Sequence, residues 1–332
     1  MGILNVTPDS FSDGGRYLDV DRAVAHGLAL AAAGADVVDV GGESSRPGAE
    51  PVPEDEERRR VLPVIEALAP TVRVSVDTMK VGVAEAAIEA GATIVNDISA
   101  SLWEVAAAGQ AGWVAMHMRG TPRTMQQRAE YADVVGEVRA YVLDRARRAL
   151  DAGVREVWVD PGIGFGKSAE HNLALLRHLP DLVAEGLPVL VGTSRKSFLG
   201  TVAPDPGGIP VPVERRLAAS LATAAWAMAA GCAMVRVHDV AATIGAARLL
   251  GLWSRGGSWP GGTAGVPAGP VTAEPGTAPG ASGPVVAGQA RDPAGGAPTA
   301  ALRGGLHGDD GPGALRHAAG TGGVGPGSGG VG

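Results

Sequence analysis

Short β-branched apolar runs alternate with longer alanine- and leucine-rich stretches along most of the chain. Gly2-Ile3-Leu4 is such a run, and it stops at Asn5. Val37 to Val40, Val72 to Val76, Thr93 to Val95, Trp113 to Met116, Val157 to Val159, Val189 to Val191 and Val235 to Val237 repeat the pattern. Each run is apolar along its length, as parallel strands covered on both faces must be. Between them the pattern predicts helices over about Asp19 to Ala33, Glu54 to Leu68, Val81 to Ala90, Val134 to Ala152 and Leu173 to Leu179, with a last one ending near Leu252. The pattern singles out no helix between Asn96 and Trp113, and Gly192 is followed by TSRKSFLG.

Alternating strand and helix argues for a parallel α/β fold. About eight such units in roughly 250 residues fit one closed (β/α)8 barrel, with an open doubly wound sheet as the alternative. Residues 1–254 form the barrel in this reading. From Arg255 to Gly332, Gly, Pro, Ala, Thr and Ser dominate and large apolar residues nearly vanish, so a disordered low-complexity tail is expected.

The 332 residues are 45% hydrophobic, enough for a sizeable core, and the net charge of -7 argues against general nucleic-acid binding. The single cysteine, Cys232, excludes an internal disulfide and reads as a small core residue. Leu217 to Val235 has nearly the length of a membrane span, but it is mostly alanine, carries Ser220 and Thr223, and is broken by Gly231. A buried helix, a turn and a strand explain it better. No basic segment followed by an apolar one opens the chain, so no signal peptide is expected and the cytoplasm is the expected location. Glu54 to Glu57 followed by Arg58 to Arg60 suits the first turns of a solvated helix, not a binding patch.

Polar residues gather where the apolar runs end. In a barrel these ends share one mouth: Asn5, Asp13, Ser45, Arg46, Asp77, Asn96, His117, Asp160, Lys167, Ser194, Arg195, Lys196, Ser197, Arg236 and His238. Arg46, Arg236 and His238, with Asn5 and Ser45, form a cationic, donor-rich set suited to phosphate or diphosphate. Asp77, Asn96, Asp160 and Lys196 pair acceptors with donors, as the edge of an amino-pyrimidinone ring requires. A polar residue at one strand end is commonly only a turn former, and His117 between two methionines reads as packing. The run GIGFGKS is not a nucleotide loop, because Pro161 stands where G-x-x-x-x-G-K-[ST] needs its first glycine.

The opening NVTPDSFSDG, then GGESSRPGAEP, SVDT, NDIS, MHMRGTPRTMQ, DPGIGFGKS, VGTSRKSFLG and RVHDV, resemble in order the motifs of the dihydropteroate synthase family, the sulfonamide targets of folate synthesis. The resemblance spans Met1 to about Leu252. It implies a (β/α)8 barrel that condenses 6-hydroxymethyl-7,8-dihydropterin diphosphate with p-aminobenzoate, giving 7,8-dihydropteroate and diphosphate. It also implies Mg²⁺ as cofactor with Asn5 as its ligand. Asn5, Ser45, Arg46, Arg236 and His238 would hold the diphosphate. Asp77, Asn96, Asp160 and Lys196 would hold the pterin. Phe11, Ser45, Pro47, Phe165 and Ser197 would surround p-aminobenzoate. Catalysis would rest on Asp13, Arg46, Asp77, Asp160 and Lys196. A cytoplasmic homodimer with small-molecule substrates, without nucleic acid or membrane, is the implied setting.

The chain departs from the family pattern twice. It starts on the first signature strand, so the expectation is either a misassigned start codon or an absent short N-terminal cap to the barrel. Ser45 stands where the family usually has threonine. A pterin-binding methyltransferase and a silent pterin-binding paralogue are the competing readings. The first needs no diphosphate set.

Overall fold

The computed structural model describes residues 1–7, 16–45, 48–125 and 129–252, with residues 16–19 described as backbone only. Eight strands follow one another among them: β1 (Gly2–Asn5), β2 (Val37–Gly41), β3 (Arg73–Asp77), β4 (Ile94–Asp97), β5 (Gly112–Met116), β6 (Val157–Asp160), β7 (Leu190–Val191) and β8 (Met234–Val235). β1 to β6 form one parallel sheet in sequence order, and β7 pairs with β8. Parallel bridges Val159↔Val189 and Gly2↔Val237 join the two sheets at both edges. The sheet therefore closes on itself, and the barrel expectation holds over the open-sheet alternative.

The helices are α1 (Arg16–Ala32), α2 (Glu54–Leu68), α3 (Val81–Glu89), α4 (Trp103–Ala108), α5 (Val134–Asp151), α6 (Ala169–Arg177), α7 (Leu179–Val183), α8 (Ser197–Val202), α9 (Leu217–Ala229) and α10 (Val240–Leu249). Local chemistry sets their starts. α5 begins at Asp133, whose carboxylate accepts from Gly136 N at 3.0 Å while Glu137 reaches back to Asp133 N at 3.1 Å. Ser168 caps α6 with His171 in the same reciprocal manner. α2 opens on four acids, which suit the positive end of the helix dipole.

Two apolar layers result. A small one fills the barrel, with Val37, Ile94, Val114 and Leu190 packed beside Trp158 and Met234. The larger one lies between strands and helices and includes Leu4, Val40, Ile65, Leu68, Val76, Trp113 and Leu179. Cys232 is buried in that layer, as expected, and burial pushes its thiol up to about 12.

The structure corrects several expectations. α4 and α8 were not expected; six residues are too few to show a helical period. The helix expected over Leu173 to Leu179 starts earlier at the Ser168 cap and is followed by the separate α7, which carries Pro180 in its first turn. α1 begins at Arg16 rather than near Asp19, and β8 lies at Met234–Val235 rather than Val235 to Val237. Leu217 to Val235 is a helix, a turn at Gly231 and a strand, but its helix is not buried. Leu217 and Trp226 on α9 are 41% and 50% exposed. No helix of the described residues is long and apolar enough to cross a membrane. The tail from residue 255 lies outside the described residues.

Candidate active site

Register partners in a parallel sheet present their side chains to the same face. Asn5↔Gly41, Gly41↔Asp77 and Asp77↔Asn96 are such partners, so the ends of β1 to β4 carry one level of the barrel mouth. Met116↔Asp160 continues the rim on β5 and β6. The apolar runs therefore deliver Asn5, Asp77, Asn96 and Asp160 together, as the sequence suggests. Asp97, next to Asn96, points the other way. Its carboxylate accepts from Ser99 N, Ser101 N and Leu102 N at 2.8, 2.6 and 2.7 Å and fixes the turn into α4.

Arg236 stands at the centre of this level. Its Nε donates to Asp39 Oδ2 at 2.6 Å and its Nη2 to Asp77 Oδ2 at 2.8 Å. Asn96 Nδ2 also donates to Asp39 Oδ2, at 2.9 Å. Asp39 is wholly buried, and its Oδ1 takes no hydrogen bond from the described protein atoms. Burial pushes the Asp77 carboxyl up to about 7, against the pull of Arg236 and with the push of Asp39, Glu57 and Asp97. Arg236, expected on diphosphate from the resemblance, is thus held by two carboxylates of the ring pocket. Asp39 was missed in the sequence. The signal was present: an acid one place before the end of an apolar strand, Val37-Val38-Asp39-Val40.

The turn after β6 forms the opposite wall. Asp160 Oδ1 accepts from Gly162 N at 2.7 Å. Gly162 has φ of 65°, and a Cβ there would lie 1.8 Å from the His117 carbonyl oxygen, so only glycine fits. Lys167 Nζ donates to the carbonyls of His117, Gly162 and Phe165 at 3.2, 2.9 and 3.0 Å and lies 2.9 Å from His117 Nδ1. Lys167 and His117 therefore staple this loop from below. Burial drives His117 down to about 3, with the Lys167 charge adding to it. Its ring packs edge-on against Tyr141 at 5.0 Å, so the packing reading of His117 holds.

Lys196 closes the rim from the loop before α8. Its ammonium donates to Ile163 O and lies 4.5 Å from the Phe165 ring centroid, a cation–π contact. Burial lowers Lys196 to about 8, against the pull of Asp160. Burial raises Asp160, against Lys196 and the Gly162 N–H. Ser194 Oγ lies 3.0 Å from His238 Nδ1 and accepts from His238 N at 3.1 Å, which ties two mouth loops together. Arg195, by contrast, turns away to a two-pronged pair with Asp239 at 3.0 and 2.5 Å. Ser197 is exposed at the start of α8, and Ser45 is half-buried beside Asp77 and Thr78. Phe11, Asp13, Arg46 and Pro47 lie outside the described residues.

Among the described residues no group of three or more His, Cys, Asp or Glu could hold a metal ion. A single-ligand site is another matter. A Cβ on Gly41 would lie 3.7 Å from Asp77 Oδ2 and 3.9 Å from Asn5 Oδ1, so the bare glycine leaves a gap between two oxygens. Oxygen donors in small number, completed by phosphate and water, are what Mg²⁺ takes.

The chain matches the pterin binding enzyme family model over residues 1–238. It is 47% identical over 267 residues to the dihydropteroate synthase of Mycobacterium leprae, covering 77% of this chain and 94% of that protein. The structure of Xanthomonas albilineans dihydropteroate synthase with 4-aminobenzoic acid aligns at 46% identity with a TM-score of 0.69, over 75% of this chain and 90% of that one. The Yersinia pestis dihydropteroate synthase with a sulfonamide drug complex aligns at 42% identity and a TM-score of 0.69, over 75% and 92%. With its closed barrel and these relatives, the chain belongs to the dihydropteroate synthase branch of the pterin-binding enzymes, transferases of folate biosynthesis.

Proposed function

We propose the following division of labour for the condensation of 6-hydroxymethyl-7,8-dihydropterin diphosphate with p-aminobenzoate. The pterin edge binds Asp77, Asn96, Asp160 and Lys196, and Asp39 beneath them holds Asn96 and Arg236. The observation that carries this reading is the level that Asp77 and Asn96 share, joined through Asp39 and Arg236. Two carboxylates and an amide at the strand ends of one barrel mouth suit a ring with adjacent N–H donors. Asn5, Ser45, Arg46, Arg236 and His238 hold the diphosphate. Phe11, Ser45, Pro47, Phe165 and Ser197 wall the p-aminobenzoate, and Asp13 takes part in catalysis.

The reaction is displacement at carbon. The methylene C–O bond breaks, and its electron pair leaves with diphosphate into the cationic set. The electron-rich pterin carries the developing positive charge, stabilised by the carboxylates Asp77 and Asp160. The amine nitrogen of p-aminobenzoate then forms the new C–N bond, and its surplus proton passes to water. No covalent enzyme intermediate is needed. Asn5, beside Gly41, would hold Mg²⁺, which would offset charge on the departing diphosphate.

The exposed apolar residues Leu217 and Trp226 on the uncharged α9 support a homodimer. A cytoplasmic enzyme fits a chain whose one cysteine is a buried, unreactive thiol. Sulfonamides would compete at the p-aminobenzoate wall. The working unit is residues 1–254, and a chain ending after Leu252 retains turnover.

The test is release of diphosphate from the pterin diphosphate with and without p-aminobenzoate. Release that depends on p-aminobenzoate and yields dihydropteroate is expected. Pterin binding without release would favour a silent paralogue, and methyl transfer would favour the methyltransferase reading.

A further inference from the structure

Lys80 directly precedes α3, three residues after Asp77, and its side chain leaves α3 for the loop between β2 and α2. Its ammonium donates to Glu43 Oε2 at 2.5 Å and to Glu57 Oε2 on α2. Glu43 Oε2 also accepts from Val52 N at 2.9 Å, so one carboxylate clasps the two ends of the loop that carries Ser45 and Arg46. The same loop is held at Gly42 O by Arg60 Nη1 at 2.9 Å, and Gly48 N donates to Pro122 O at 3.2 Å. Ser45, Asp77 and Thr78 line one small pocket with Glu43, Glu57 and Lys80.

This cluster is a poor device for stability alone. Two carboxylates share one ammonium, Glu57 is 1% exposed, and its Oε1 takes no hydrogen bond from the described protein atoms. A buried ionic group of this kind is commonly no more stabilising than apolar residues of equal volume. What it does supply is a fixed geometry: the clasp residue Glu43 is anchored to two other elements of the barrel. Burial works against the ammonium, yet the hydrogen bonds from Glu43 and Glu57 raise Lys80 above its ordinary value, so it stays charged across the working range.

We propose that Lys80, anchored by Glu57, is a positioning residue that holds the Glu43 clasp and thereby places Ser45 toward the diphosphate. This rests on the reading above that Ser45 binds the diphosphate. Lys80 touches no substrate in it. The cation also offsets one of the two carboxylate charges that stand beside an anion.

The full chain is assayed for KM toward the pterin diphosphate, for kcat, and for the Kd of 6-hydroxymethylpterin, which lacks the diphosphate. Lys80→Met raises the KM for the pterin diphosphate by roughly tenfold, the worth of one misplaced charge-assisted bond. It leaves the Kd of 6-hydroxymethylpterin within about twofold, since the ring pocket keeps its partners. Lys80→Arg restores most of the loss, which a role in bulk packing would not predict. A wild-type KM in Lys80→Met, or an equal loss for both ligands, overturns the inference. Should Lys80→Met fail to fold, Glu43→Gln carries the same readout: its KM rises severalfold while 6-hydroxymethylpterin binds as before, and a wild-type KM overturns the inference. Ser45→Ala separates the two readings. If it weakens the pterin diphosphate while Lys80→Met does not, only the positioning role fails. If it changes nothing, the assignment of Ser45 fails, and the Lys80 result is still decided by the ratio of the two ligands.

Discussion

Arg236 on the last strand's loop donates to Asp39 on the second strand at 2.6 Å, a contact between residues 197 apart in the chain. Its other arm holds Asp77. Asp39 thus acts on Asp77 twice, by its own charge and by holding part of the cation away. Asp39→Asn keeps the shape and removes the charge. Because Asp39 raises the Asp77 pKa, its neutralisation lowers it. If ionised Asp77 is needed for turnover, the acid limb of the kcat/KM profile moves to lower pH in Asp39→Asn. An unmoved limb would dissociate Asp39 from Asp77. The substitution costs about 1–3 kcal/mol in stability, since Arg236 keeps only a neutral acceptor there.

Burial of His117 contributes to acid sensitivity. Its folded pKa is about 3, against 6.5 for the free side chain. Between those values the unfolded chain binds the proton and the folded chain does not. The stabilising contribution is therefore complete above about pH 6.5, falls as the pH drops, and is gone below about 3, a change of roughly 5 kcal/mol. In His117→Asn the slope of unfolding free energy against pH over this window becomes shallower. Denaturant titrations at several pH values measure it, and an unchanged slope means that another group carries the acid transition.

Gly162→Ala puts a methyl on a backbone of positive φ and into the His117 carbonyl. The strain at φ alone costs about 1–3 kcal/mol, and the clash forces the loop off Asp160. Calorimetric Tm falls, and pterin binding falls with it because Asp160 loses its Gly162 N–H. A variant that melts lower but binds pterin normally would show that the Asp160–Gly162 bond does not shape the pocket.

Leu217→Glu and Trp226→Glu test the uncovered face of α9. Trp226 already donates its indole N–H to Leu176 O at 2.7 Å, so Leu217→Glu is the cleaner of the two. Sedimentation shows a smaller species than wild type in both variants if this face joins two copies. Two variants of wild-type mass show that this face joins no second copy.

Much of this molecule was written locally. Apolar runs ending in Asn5, Asp77, Asn96 and Asp160 were legible because a strand buried on both faces leaves its pattern in four or five adjacent residues. α2 was legible from Glu54 to Leu68, because four leading acids and an apolar stripe are also neighbours in sequence. Short elements were not: α4 and α8 are too brief to show a period. Tertiary structure alone decided which charges meet. Closure of β8 against β1 sets Arg236 between Asp39 and Asp77, and the packing of α2 and α3 brings Glu57 and Lys80 to Glu43. It also decided that one side of the uncharged α9 stays open. A strand or a long helix is encoded in residues that touch along the chain, whereas an ion pair across a barrel depends on the length and curvature of everything between its partners.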